Sequence, residues 1–231
     1  MQTKIVSITL FVIASSMVLS AATPLKDSPI ALVSKVILDV TRKSVGKDWQ
    51  QAKRGETLSS GERLKTGEKS VAVIKFKDNS MLRVRERTEV LLSGTQQGTS
   101  FSKSTQVDRG IIGFNIKKQQ QGEEFRFSSP TSVASIRGTS GQFGIEDSGD
   151  KLVVLDGQVR LTNKISSQFI DVGAGYTGLS SGDGKVQLRL STPEEKQAAE
   201  VLSRIVEQEN KLDIELKDGN GNQKQIEIKY K

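Results

Sequence analysis

No histidine and no cysteine occur among the 231 residues. Their absence removes the imidazole base of Ser-His-Asp and Cys-His nucleophile pairs, the usual ligands of structural zinc, the commonest haem ligand and every disulfide. Aromatic side chains are scarce as well, with 8 Phe, 2 Tyr and 1 Trp, so an aromatic-lined substrate cleft has little to be built from. Proline is rare at 4 residues while 21 glycines are spread along the chain, which speaks for tight turns rather than a linker. The chemistry left open is carboxylate catalysis, oxygen-ligand metals or binding alone. A hydrophobic share of 35% keeps the chain on the globular side of disorder.

The N-terminus reads as an export signal. Lys4 precedes an uncharged, mostly apolar run from Ile5 to Leu19, and Ser20-Ala21-Ala22 comes next as a small-x-small cleavage site. That run is shorter than the roughly 20 residues a spanning helix needs. We therefore expect a signal peptide over 1–22, no transmembrane helix after its cleavage, and delivery to the periplasm, the cell surface or the extracellular space. The net charge of +7 drops by one with Lys4 and stays basic. For an exported chain this favours an envelope protein or an anionic envelope surface as partner, and not nucleic acid. A mature chain of this size buries roughly 70% of its unfolded surface and needs no disulfide staple.

Most of the chain beyond the signal alternates with period two. Val71-Ala72-Val73-Ile74-Lys75-Phe76 and Met81-Leu82-Arg83-Val84-Arg85 flank Asp78-Asn79-Ser80 and predict a hairpin. Matching apolar faces pairs Phe76 with Leu82 and Ile74 with Val84. In that register Lys75 faces Arg83, Arg85 and Arg87 continue the face, and Lys77 lies beside the turn. Like charges held opposite each other destabilise a sheet unless water or an anion relieves them. Lys75, Lys77, Arg83, Arg85 and Arg87 are therefore the candidate face for an anionic partner, against the plainer reading of a solvated outer face. Further short strands are expected over 113–116, 125–128, 141–145, 151–155, 158–161, 169–172 and 186–190, separated by Gly110, Gly122, Gly149, Gly157, Gly173, Gly175 and Gly184. With no helical pattern between them, they suggest a sandwich or a small solenoid rather than a parallel α/β sheet.

One helix stands apart. Thr192 as N-cap, Pro193 at the first position and Glu195 completing a capping box open it, and Ala198, Leu202 and Ile205 fall at helical spacing with Val201 and Val206 beside them. The pattern predicts a helix to about Asn210. Leu212, Ile214 and Leu216, then Ile226, Ile228 and Tyr230, alternate across Asp218–Asn222 as a terminal hairpin. The expected organisation is a β domain over 23–190 and a helix plus hairpin over 191–231.

Motifs with chemical potential weaken on inspection. Gly173-Ala174-Gly175-Tyr176-Thr177-Gly178 fits the dinucleotide pattern, but no helix comes after it to receive a pyrophosphate, so its glycines read as turn residues. Asp218, Asn220 and Asn222 imitate a calcium loop whose sixth and twelfth positions are Gln223 and Lys229 instead of Gly and Glu. Asp147, Asp150 and Asp183 sit in ordinary turn sequences. Glu123 and Glu124 leave a glycosidase formally open, since two carboxylates suffice for that reaction. Ser135 and Ser140 have no base. Arg137 before Gly138 reads as a buttress within the fold, bonding neighbouring carbonyls near a bulge. No cofactor, no metal and no catalytic residue are expected.

Several ordered motifs together carry a family likeness. The Gly-rich lead-in from Gly55 to Gly67 precedes VAVIKFKDNSMLRV, and then come Val107-Asp108-Arg109-Gly110 and FRFSSPTSVASIRGTSGQFGI, with Thr131, Arg137-Gly138-Thr139 and Phe143. Leu155-Asp156-Gly157-Gln158-Val159 and Val172-Gly173-Ala174-Gly175 close the series. Over about residues 55–178 this resembles the FecR domain, with Asn79 where the family's hairpin turn usually has Gly. The resemblance implies an all-β, solenoid-like or sandwich-like fold. It also implies likeness to the periplasmic part of membrane-bound sigma-factor regulators, whose cytoplasmic and membrane-crossing parts have no counterpart here. The expected function is an exported, non-enzymatic binding module of the cell envelope. A periplasmic sensor relaying through a separate membrane partner is the alternative, and a carbohydrate-active enzyme a more distant one.

Overall fold

The computed structural model describes residues 29–97 and 100–204 and the backbone of two terminal strands at 210–217 and 223–230. The expected signal peptide and the Asp218–Asn222 loop lie outside the described residues. In chain order the strands are β1 (Ala31–Ile37), β2 (Val40–Lys43), β3 (Gln50–Gln51), β4 (Thr57–Leu58), β5 (Arg63–Thr66), β6 (Val71–Phe76), β7 (Met81–Val84), β8 (Glu89–Gln97) and β9 (Ser100–Arg109). They continue with β10 (Ile111–Ile116), β11 (Phe125–Ser128), β12 (Ser132–Ile136), β13 (Thr139–Glu146), β14 (Gly149–Asp156), β15 (Gln158–Asn163), β16 (Phe169–Gly173), β17 (Tyr176–Ser180) and β18 (Val186–Leu190). A helix, α1 (Pro193–Ser203), and a two-stranded hairpin, β19 (Asn210–Lys217) with β20 (Gln223–Tyr230), complete the chain.

Two nine-stranded sheets form a sandwich, ordered β18-β17-β14-β13-β10-β7-β6-β1-β4 and β16-β15-β12-β11-β9-β8-β5-β2-β3. From β6 onward the chain lays down strands mostly two at a time, crossing between sheets and advancing towards β16 and β18. The fold is thus a sandwich in its layers and solenoid-like in its progress. Pairing is antiparallel except for β9 with β11. The two inward faces share one core, in which five of the eight phenylalanines interlock. Phe76 and Phe114 of the first sheet meet Phe125 and Phe127 of the second at 5.0 and 4.9 Å between ring centroids, and Phe143 stacks on Phe127 at 6.0 Å. Each such pair adds about 0.5–1.5 kcal/mol beyond its burial, which helps explain how a chain without disulfides holds two long sheets together.

The β6–β7 hairpin forms, but two residues out of the expected register. Ile74 pairs with Leu82 and Val73 with Arg83, so Lys75 faces Met81 and not Arg83. A shift of two keeps every side chain on its expected face, which is why face-matching could not detect it. Lys77, Asp78 and Asn79 form the loop, with the Phe76 N–H donating to the Ser80 carbonyl. Asn79 sits at φ +63°, the left-handed conformation that Gly and Asn tolerate best, so it replaces the usual Gly without a change of turn.

The helix starts where the capping box places it. Thr192 Oγ1 accepts from the Glu195 N–H at 3.2 Å, and the Glu195 carboxylate accepts from the Thr192 N–H at 3.1 Å. It ends at Ser203, with Arg204 as C-cap, well short of the expected Asn210, which instead opens β19. Its buried face is Ala199, Leu202 and Ser203, while Ala198 and Val201 are exposed; Ile205 and Val206 lie outside the described residues. The helix packs across the outer face of the first sheet over β14, β13, β10 and β7. With Val73 and Val153 it makes a satellite core separate from the main one. Gly113 permits this approach: a Cβ there would lie 2.5 Å from the Leu202 carbonyl oxygen.

Glu195 fastens the helix to the sheet edge. Arg189 donates to it through both Nη atoms at 2.8 and 2.7 Å, Thr177 Oγ1 donates at 3.0 Å, and Lys151 lies 3.7 Å away. The Arg189 bonds, outweighing burial, hold its carboxyl down at about 2. A depressed carboxyl stabilises the fold fully above its unfolded pKa, near 4.3, and the benefit disappears as pH falls towards 2. Discounted for solvent screening, it contributes roughly 2 kcal/mol at neutral pH. Protection factors of the α1 amides, taken against the intrinsic exchange rate at each pH, should therefore fall between pH 4.5 and 2, and Glu195→Gln should show low protection already at pH 7. Equal protection of both proteins at pH 7 would refute the anchor.

Candidate functional site

The five basic residues of the β6–β7 region do not form one stripe. Lys75 and Arg83 stand half-buried on the outer face of the first sheet, and the Arg83 Nη1–H donates to the Val201 carbonyl of α1 at 3.0 Å. Arg85 comes just after β7, beside Glu86 at 3.8 Å. Arg87 lies exposed in the next turn, paired with Glu68 at 3.2 Å, and Lys77 is exposed at the opposite end of the hairpin. The helix, invisible to a register argument, therefore occupies part of the face that the sequence offers to an anionic partner.

A second surface emerges on the outer side of the other sheet. Strand register aligns Arg126, Ser135, Arg160 and Asp171 across β11, β12, β15 and β16. Together with Glu124, Arg137, Gly138 and Gln158, the latter three of that row line an open cleft of about 600 Å³. Arg160 grips Asp171 with two bonds of 2.8 and 2.9 Å and lies over the Phe169 ring, 4.4 Å from its centroid. Arg126 pairs with Glu124 at 2.5 Å. Burial pushes the Glu124 carboxyl up, but bonds from Arg126 and Ser135 and the charges of Arg126 and Arg137 outweigh it and leave it below the usual carboxylate range. Asp171 is lowered by its bonds to Arg160.

Arg137 departs from its expected role. It is exposed, its guanidinium makes no hydrogen bond with another described residue, and it reaches the cleft beside Glu124. The structural work at this corner falls to its neighbours. Gly138, at φ +115°, and Gly157, at φ +80°, turn the chain between the sheets side by side, and a Cβ on Gly157 would lie 2.7 Å from the Gly138 carbonyl oxygen. Thr139 Oγ1 donates to the Gln158 carbonyl at 3.2 Å. A local reading cannot tell which of three adjacent residues at a corner faces inward.

The remaining motifs resolve as architecture. Gly173 ends β16, Gly175 turns at φ +82°, and the next element is a strand rather than a helix, so no helix N-terminus is present there for a pyrophosphate. Asp183 bonds Ser181 and Lys185 within its own turn. Asp150, 1% exposed, accepts from the hydroxyls of Ser129, Thr131 and Ser132 and ties the β11–β12 turn to the start of β14. Near the β6–β7 turn, Asp78 accepts from Ser80 and Gln119 and pairs with the buried Lys103 of β9 at 2.9 Å, joining the two sheets. Neither network is legible in the sequence, because each joins segments that only the fold brings together.

Residues 62–160 match the model of the family described as FecR protein. Two crystal structures from Parabacteroides distasonis ATCC 8503, each described as a "putative anti-sigma factor", share the fold. One has a TM-score of 0.50 at 12% identity, over 65% of this chain and 66% of that one; the other a TM-score of 0.50 at 9% identity, over 69% and 70%. This chain thus spans about two thirds of the length of the first of these structures. No curated protein matches the sequence. The strands from β5 to β14 and the start of β15, with the Asp78 turn, the Arg137 corner and the Asp150 anchor, fall inside the region that matches the FecR family.

Proposed function

We propose that this chain is an exported binding module of the cell envelope that takes part in FecR-type signalling by contact with a protein partner, without catalysis. The observation that carries this reading is the Arg137 cleft, whose lining apart from Asp171 falls in the region matching the FecR family: an open surface where an arginine without a hydrogen-bond partner among the described residues stands between two satisfied ion pairs. An acidic segment of a partner would complete it, since a carboxylate matches a guanidinium bidentately. Glu124 and Asp171 share the cleft, yet both are held below the usual carboxylate range, whereas glycoside hydrolysis requires one carboxyl kept protonated. That argues for binding over carbohydrate chemistry. Among the described residues no helix is long and apolar enough to cross a membrane, so a relay across one would run through the partner.

Photo-crosslinking in intact envelopes tests this. A crosslinker in place of Gln158, at the cleft, should capture a discrete envelope protein, and Arg137→Gln should cut the yield at least about fivefold, as loss of one charge-assisted bond implies. A crosslinker in place of Val45, a 71% exposed position in the β2–β3 turn, serves as control. Equal capture at both positions, or none at either, would overturn the reading.

A further inference from the structure

The helix covers only part of the outer face of the first sheet. Between its last turns and β6 lies a groove of about 470 Å³ whose apolar lining comes from Val71, Ala198, Val201 and Leu202, with Arg83 and Arg85 at its side. Val201 is 59% exposed. By register, Leu32 of β1 and Met81 of β7 stand on the same outer face beyond the groove, on either side of Lys75, and Leu32 is also exposed. Apolar positions therefore continue on this face where the helix stops, on either side of Lys75.

The terminal hairpin has the complementary need. Its register pairs Leu212 with Ile228 and Ile214 with Ile226, and alternation puts Leu216 and Tyr230 on that same face. The opposite face carries Lys211, Asp213, Glu215, Glu227 and Lys229 among its polar residues. A two-stranded hairpin with one apolar face is marginal in water and persists only when that face is covered. Its reach is limited: from Arg204 to Asn210 is six Cα steps, about 20 Å when fully extended. The chain leaves α1 beside the groove, so the apolar positions beyond it fall within that radius. Two sheets stack about 10 Å apart, so a hairpin lying on β6 and β1 would continue the layer that the helix begins.

We propose that the β19–β20 hairpin of this same chain docks with its apolar face on the outer face of the first sheet beside α1, filling the groove at Val71 and Val201. The absence of native cysteine makes a disulfide test clean. In the full chain, Val201→Cys is combined in turn with Leu212→Cys, Ile214→Cys, Ile226→Cys or Ile228→Cys, with Glu215→Cys and Gln225→Cys as polar-face controls. Leu32→Cys serves as a second anchor should a Val201 pair lower the thermal midpoint. Mild oxidation should form an intrachain disulfide at one or more apolar-face positions at least ten times faster than at the controls. Disulfide-linked dimers in place of the intrachain product would assign the apolar face to a second copy and overturn the proposal. Equal rates on both hairpin faces, from both anchors, would overturn it as well.

Discussion

Asp78→Ala is expected to cost about 3–5 kcal/mol of unfolding free energy, most of it traceable to a residue on the other sheet. Lys103 is 4% exposed, and its ammonium has Asp78 as its carboxylate partner at 2.9 Å, with the Phe101 ring 5.6 Å away. Removing the carboxylate leaves a buried positive charge uncompensated, which is far worse than never having the pair. Asp78 also accepts from the Ser80 N–H and hydroxyl and from Gln119, and these bonds with Lys103 outweigh burial to keep its carboxyl below the usual range. The decisive comparison is the double variant. Lys103→Met removes the stranded charge while keeping the stem's volume, so Asp78→Ala with Lys103→Met should recover about 2 kcal/mol of the loss. Urea unfolding of the four proteins measures that coupling, and additivity within about 0.5 kcal/mol would refute it.

The second large effect is expected at Asp150, where a carboxylate is buried without any salt-bridge partner among the described residues. Its Oδ2 gathers the Ser129, Thr131 and Ser132 hydroxyls, the last at 2.5 Å, while its Oδ1 is buried with no hydrogen-bond partner among the described residues. Bonds to an ionised group contribute more than neutral ones, and three converge on one atom here. Asp150→Ala should therefore cost about 3 kcal/mol and release the β11–β12 turn, accelerating amide exchange at Ser132 while the β6–β7 hairpin stays protected. Asp150→Asn keeps an acceptor in place and should cost about half as much. A loss below about 1 kcal/mol for the alanine variant would show that the three hydroxyls satisfy each other without it.

Legibility in the sequence depends on whether the signal is local. The strands at 125–128 and 186–190 fall where alternation places them, and the helix begins at its capping box, because these are decided by neighbours along the chain. β9 carries no such signal. Its inward positions include Lys103 and Thr105 as well as Val107, so polar residues interrupt the alternation that marks a half-buried strand. Only Asp78, far earlier in the chain, makes a buried lysine tolerable there. The hairpin register escapes for a different reason: period two distinguishes faces but not a shift of two residues.

The candidate sites divide the same way. Spacing selects Lys75, Lys77, Arg83, Arg85 and Arg87, yet Arg83 bonds a helix carbonyl 118 residues away, and no pattern within a strand can encode that contact. Arg137 reads as an inward buttress and faces out, whereas Gly138 and Thr139 do the structural work expected of it. The cleft around it draws on β11, β12, β15 and β16, and exists only because the chain alternates between the two sheets as it advances.

What the sequence by itself determined is a set of exclusions and beginnings. Without histidine or cysteine there is no imidazole or thiol chemistry and no disulfide; period-two alternation with frequent glycine makes the chain all-β; Thr192, Pro193 and Glu195 start the helix. The tertiary structure alone decided the register of β6 on β7, the end of the helix, the pairing of Asp78 with Lys103, the hydroxyl cage around Asp150 and the exposure of Arg137. The physical reason is common to all of them. Propensity and alternation act over a few residues, whereas a buried charge or a sheet corner is settled by whichever distant segment the fold places against it.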